Sequence, residues 1–119
     1  MTFFCGIGIN YLQLHKACIN DELILDLVKI EKTEIWKTDD IPKYWTAIFF
    51  ESNVKDFPEK LSKVLTGNWY VDLKIDNTKI IVFKNKVLKY IIGNSAEKEI
   101  VLDYCKKMGI PEKQMDWSE

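Results

Sequence analysis

The chain contains no arginine: all seventeen of its basic residues are lysine. Arginine is the usual side chain for bidentate recognition of carboxylates, phosphates and guanine edges, and for clamping charge in a phosphoryl transition state. Its absence argues against phosphoryl transfer and against sequence-specific DNA binding, although lysine still holds a phosphate as a point charge. An AT-rich coding sequence, which favours Ile, Lys and Asn, accounts for most of the bias. The net charge is −1, so no whole-molecule field draws in nucleic acid, an anionic membrane or a charged substrate.

Metal and redox ligands are scarce. The three cysteines, Cys5, Cys18 and Cys105, are odd in number and widely spaced, which is no disulfide framework. Reduced thiols in a cytoplasmic location are the expectation. Cys5, His15 and Cys18 lack both a CxxC pair and the fourth ligand of a tetrahedral zinc site, so no metal is expected. His15 and Cys18, three residues apart, would meet on a helix as base and nucleophile, but no orienting residue or oxyanion donor accompanies them. Gly6-Ile7-Gly8 resembles half of a dinucleotide fingerprint. Tyr11 stands at the third glycine position and no βαβ unit follows, so no cofactor is expected. No apolar run approaches the length of a membrane span, and Met1 to Asn10 lacks the positive flank and long apolar stretch of a signal peptide. No membrane association is expected.

What is present describes a globular chain. Its 119 residues are the size of one domain, read here as 1–119, with 47% apolar and 29% charged residues. Trp45 to Glu51 reads as a buried strand. Asp56, Phe57, Pro58 and Glu59 read as a capping box with proline in the first turn. Phe57, Leu61, Val64 and Leu65 share a helical face, and Gly67 is expected to end that helix. Trp69 to Asp76 alternates, with Trp69, Val71, Leu73 and Ile75 facing inward and Tyr70, Asp72, Lys74 and Asp76 facing solvent. Lys79 to Lys84 and Val87 to Ile92 follow across short turns, which makes an antiparallel meander. Asn94 or Ser95 caps a second helix, with Ala96, Ile100, Tyr104 and Met108 recurring every four residues beside Val101 and Cys105. Gly109 and Pro111 stop it. Gln114 to Trp117 is expected as a closing strand.

The first 44 residues are harder to read. Leu23 to Ile30 fits either a strand or a short helix capped by Asn20. Thr33 to Lys37 reads as a strand, turned back by Thr38 to Lys43 onto Trp45 to Glu51. The expected fold is α+β: an antiparallel sheet with two helices packed on one face. It resembles a ferredoxin-like or related split α+β sandwich, spanning 45–117, with an extra N-terminal segment over 1–44. That architecture hosts many functions and selects none.

Two groups of residues stand out as binding candidates. Trp36, Tyr44 and Trp45 flank one loop, where ligand or partner contacts concentrate. Lys74, Lys79, Lys84, Lys86 and Lys89 lie on the meander near Tyr70 and Tyr90. A basic aromatic face can track single-stranded RNA, but Asp72 and Asp76 share the patch, and lysines on a sheet also block aggregation; nucleic acid binding is argued against. With no catalytic set present, the expectation is a non-enzymatic interaction or regulatory module that self-associates, its partner a second copy or another protein. The alternative is a small enzyme or ligand binder with an aromatic pocket near residues 36–45.

Overall fold

The computed structural model describes residues 2–6, 19–37, 44–68, 70–117 and 119. The strands are β1 (Thr2–Gly6), β2 (Lys29–Lys37), β3 (Tyr44–Glu51), β4 (Val71–Ile75), β5 (Thr78–Phe83) and β6 (Lys86–Ile91). The helices are α1 (Phe57–Val64) and α2 (Ser95–Lys107), and 3-10 turns span Glu22–Leu27 and Glu112–Gln114. The fold is α+β, and every neighbouring strand pair is antiparallel. A β2–β3 hairpin and a β4–β5–β6 meander lie on either side of β1, which pairs with β3 along its length and with β4 through Thr2 and Phe3. The strand order is β2-β3-β1-β4-β5-β6.

Each face of this sheet has its own core. Ile80 and Val82 of β5 pack with Phe57, Leu61 and Leu65 from α1, together with Ile48, Phe50, Val71 and Leu73. Ile81 and Phe83, their immediate neighbours, pack with Val101 and Cys105 of α2 and with Tyr70, Tyr90, Ile110 and Trp117. Successive residues of a strand point to opposite faces, so α1 and α2 cover opposite sides of the meander. The expected placement of both helices on one face, the ferredoxin-like arrangement, is corrected. So is the solvated face expected for β4: Tyr70 and Asp72 are buried, because α2 and the residues after it lie over them. Neither helix among the described residues is long and apolar enough to cross a membrane.

Local signals explain most element ends. Around α1 the expected capping box does not form. Asp56 makes no side-chain cap bond, and its carboxylate lies 3.6 Å from Lys60 one turn later. The helix ends because Leu65 turns extended and bridges to Ile19, with the Asn20 N–H donating to the Val64 carbonyl at 2.8 Å. Gly67, at φ 76°, lies beyond that end rather than making it. In α2 the Asn94 side chain accepts from Glu97 N–H at 3.1 Å. Its last turn closes with Gly109 at φ 81°: the Ile110 N–H donates to the Cys105 carbonyl and the Gly109 N–H to Lys106, the Schellman pattern that a left-handed glycine permits. The stripe that α2 buries is Val101 and Cys105, while Ala96 and Ile100 are exposed. Residues 115–117 form no strand; Met115 and Trp117 pack on the second core as irregular chain.

The N-terminal ambiguity resolves as a 3-10 turn followed by a strand. Asp21, not Asn20, caps Glu22–Leu27, accepting from Leu23 N–H at 3.0 Å, and β2 then starts at Lys29 and contains the expected Thr33 to Lys37. Urea unfolding separates the two helix caps. Asn94→Ala is expected to cost about 1 kcal/mol, whereas Asp56→Ala, which removes only an exposed ion pair, is expected to cost less than about 0.5 kcal/mol.

Candidate functional site

Backbone pairing brings the three aromatic candidates together at one end of the β2–β3 hairpin. Trp36 lies opposite Trp45, and Lys37 lies opposite Tyr44. The loop Thr38 to Lys43 that would complete a pocket there lies outside the described residues, as do His15, Cys18 and Trp69.

β2 itself is the outermost strand of the sheet. Its register on β3 is regular from Lys32 to Lys37 and shifts between Ile30 and Lys32, which leaves Glu31 as the extra residue of a bulge. Ile30 lies opposite Phe50, whereas Lys32 lies opposite Phe49. The bulge therefore places Ile30 on the α1 side of the sheet, together with Thr33 and Ile35, which lie opposite Ile48 and Thr46. Lys32 and Glu34 occupy the other side. They form an ion pair at 3.5 Å, and the Lys32 ammonium sits 4.5 Å above the Phe49 ring. Ile35 is 57% exposed and Ile30 38%.

At the other end of the hairpin an open cleft of about 440 Å³ is lined by Asp26, Val28, Lys29, Glu51, Ser52 and Asn53. The Ser52 hydroxyl donates to the Leu27 carbonyl at 2.6 Å and accepts from Val54 N–H at 3.2 Å. Its proton is committed to a carbonyl, so it fastens the 3-10 turn to the end of β3 and is not poised as a nucleophile. Among the described residues no three Cys, His, Asp or Glu side chains are placed to share a metal.

A polar cluster is buried beneath α2. Lys79 Nζ lies 2.7 Å from Asp72 Oδ1, with side chains 4% and 5% exposed. Burial raises the Asp72 carboxyl above its ordinary value, and the Lys79 hydrogen bond offsets only part of that effect. Burial, followed by the charge of Asp72, also raises the neighbouring Tyr70 hydroxyl. Trp117 Nε1 donates to the Tyr90 hydroxyl at 2.7 Å, and that hydroxyl donates to Glu119. Trp117 meets Tyr70 edge-on, with centroids 5.2 Å apart. The hydroxyl bond of Tyr90 holds the Glu119 carboxyl below its ordinary value, with Lys98 helping at 3.4 Å. The Asp72–Lys79 ion pair was legible in principle. The Asp76-Asn77 turn sets Lys74 opposite Lys79, which makes Asp72 the diagonal neighbour of Lys79 on the same face.

The five meander lysines do not form a basic face. Lys79 is buried in that ion pair, Lys89 lies opposite Ile80 on the α1 side, and Lys74 and Lys86 lie on the α2 side. Cys105 is fully buried, and burial pushes its thiol up to about 11, so at neutral pH it holds little of the thiolate that reactivity requires. No family model matches the chain, and neither a curated protein nor a solved structure matches it.

Removing one member of a buried pair strands the other. Lys79→Met is expected to cost about 3–5 kcal/mol in urea unfolding, and the double variant Asp72→Leu/Lys79→Met is expected to recover most of that loss. Alkylation followed by peptide mapping is expected to leave Cys105 unmodified in the native protein at neutral pH and to modify it in denaturant.

Proposed function

We propose that the chain is a one-domain, non-enzymatic interaction or regulatory module, cytoplasmic and self-associating, with β2 as its contact strand. The observation that carries this reading is the state of the sheet's two edges. Among the described residues no strand lies beyond β2, and every described side chain of the strand is exposed. An open edge is a row of unpaired backbone donors and acceptors, which strand addition satisfies. The opposite edge, β6, is already partly occupied, since the Glu97 carboxylate accepts from the Ile91 N–H at 3.0 Å. The polar groups beneath α2 are committed to one another and Cys105 is buried, which favours binding over catalysis.

The second reading, a small-ligand binder, is favoured by the open cleft beside Lys29 and Glu51. It is carried there rather than by the expected aromatic pocket. The cleft lies at the far end of β2 from Trp36, Tyr44 and Trp45, about 25 Å away for a strand of this length.

Light scattering tests the first reading, and hydrogen exchange locates the contact. The expected mass is twice that of the chain, and amides of 29–37 are expected to gain protection as concentration rises through the dissociation constant while those of 86–91 do not. A strict monomer at every concentration, or protection that rises elsewhere, would overturn the proposal.

A further inference from the structure

We propose that two copies of the chain join antiparallel through β2 in a single register centred on Thr33, so that their sheets continue into one another across a two-fold axis. This inference rests on the reading of β2 as the contact strand and adds the partner's alignment.

The sign of the charges selects the edge. β6 carries Lys86 and Lys89 and no carboxylate, so two copies of it bring only like charges together. β2 carries both signs, Lys29, Glu31, Lys32, Glu34 and Lys37, and opposite charges facing across an antiparallel pair are favourable while like charges are not.

Symmetry then limits the alignment. A two-fold axis perpendicular to a continuous sheet keeps each residue on its own face. Only positions on the same face of β2 therefore face each other across the seam. Within the regular stretch Lys32 to Lys37, centring on Lys32 sets lysine against lysine, and centring on Glu34 sets glutamate against glutamate. Centring on Ile35 faces Glu34 with Trp36 and Thr33 with Lys37, and centring on Trp36 faces Ile35 with Lys37, which leaves the charges unmatched, while centring on Lys37 again sets lysine against lysine. Centring on Thr33 places Lys32 opposite Glu34 twice. Each copy already holds its own Lys32 against its own Glu34 at 3.5 Å. The four side chains thus close a square of alternating sign on one face, with like charges only on the diagonals.

The bulge supplies an independent agreement. Without it, Ile30 and Ile35, five positions apart, would fall on opposite faces of β2. With Glu31 extruded they share the α1 side with Thr33. In the Thr33-centred alignment, stepping over Glu31 sets Ile35 of one copy opposite Ile30 of the other, and the reverse. The two most exposed apolar side chains described in β2 then bury each other on one face while the charge square closes the other.

Single-cysteine coupling tests the register. Paired residues of an antiparallel ladder have Cα atoms about 4.5–5.5 Å apart, within disulfide reach. Thr33→Cys is expected to form a reducible, disulfide-linked dimer under mild oxidation faster than the wild type, whose own cysteines set the background, and faster than Ile35→Cys. In sedimentation equilibrium Lys32→Glu and Glu34→Lys are each expected to weaken the dimer about tenfold, and Lys32→Glu/Glu34→Lys together to restore it. A dimer that protects 29–37 from exchange, yet neither couples in the Thr33→Cys variant nor recovers in the double swap, overturns this register and leaves the edge reading standing. A dimer without protection of 29–37 overturns both.

Discussion

The arrangement depends on one strand being buried from both sides. Ile80, Ile81, Val82 and Phe83 run consecutively through β5 with at most 3% exposure, and a strand with no wet face must be covered twice. α1 supplies one cover through Phe57, Leu61 and Leu65. α2 supplies the other through Val101 and Cys105, with Tyr104 edge-on to Phe83 at 4.7 Å. The two-sided demand fixes where the helices go and draws the chain after Gly109 back over Tyr70 and Tyr90. It also forces a charge inside. Asp72 lies on the side that α2 closes, and the diagonal Lys79 offsets part of the cost of its burial.

This demand was visible in the run KIIVFK, which has no polar alternation, but its meaning depended on knowing what lay above each face. β4 alternates cleanly, so it reads as half-buried; Asp72 and Lys74 look alike in that pattern, yet one is buried and the other exposed. Element types and the meander were legible because short turns and strong periodicity are local properties. Helix placement was not, because it depends on the handedness of connections and on which face remains uncovered. The caps divide in the same way. Asn94 and Gly109 act through bonds within a few residues and were readable, while α1 ends where Leu65 meets Ile19, a contact that no local pattern records.

At the candidate site the sequence identified the hairpin but not the place of β2 at the edge of the sheet. Trp36 and Trp45 do pair in register, with Tyr44 opposite Lys37, and the position of β2 as an edge is a property that only the strand order supplies. Glu31 is the clearest case. In the sequence it is one more charge in an alternating run, and in the fold it is the residue that resets the phase of β2.

The two edges of the sheet differ in a way that bears on how far association can go. An edge that accepts its own copy removes itself, because the strand that was open is then paired. What a β2-joined pair still presents is two copies of β6, each bearing lysines without acids and each with a backbone donor already held by Glu97. Neither edge offers a next copy a matching strand. If copies join through β2 as proposed, growth is therefore finite: a closed, symmetric pair and no fibre.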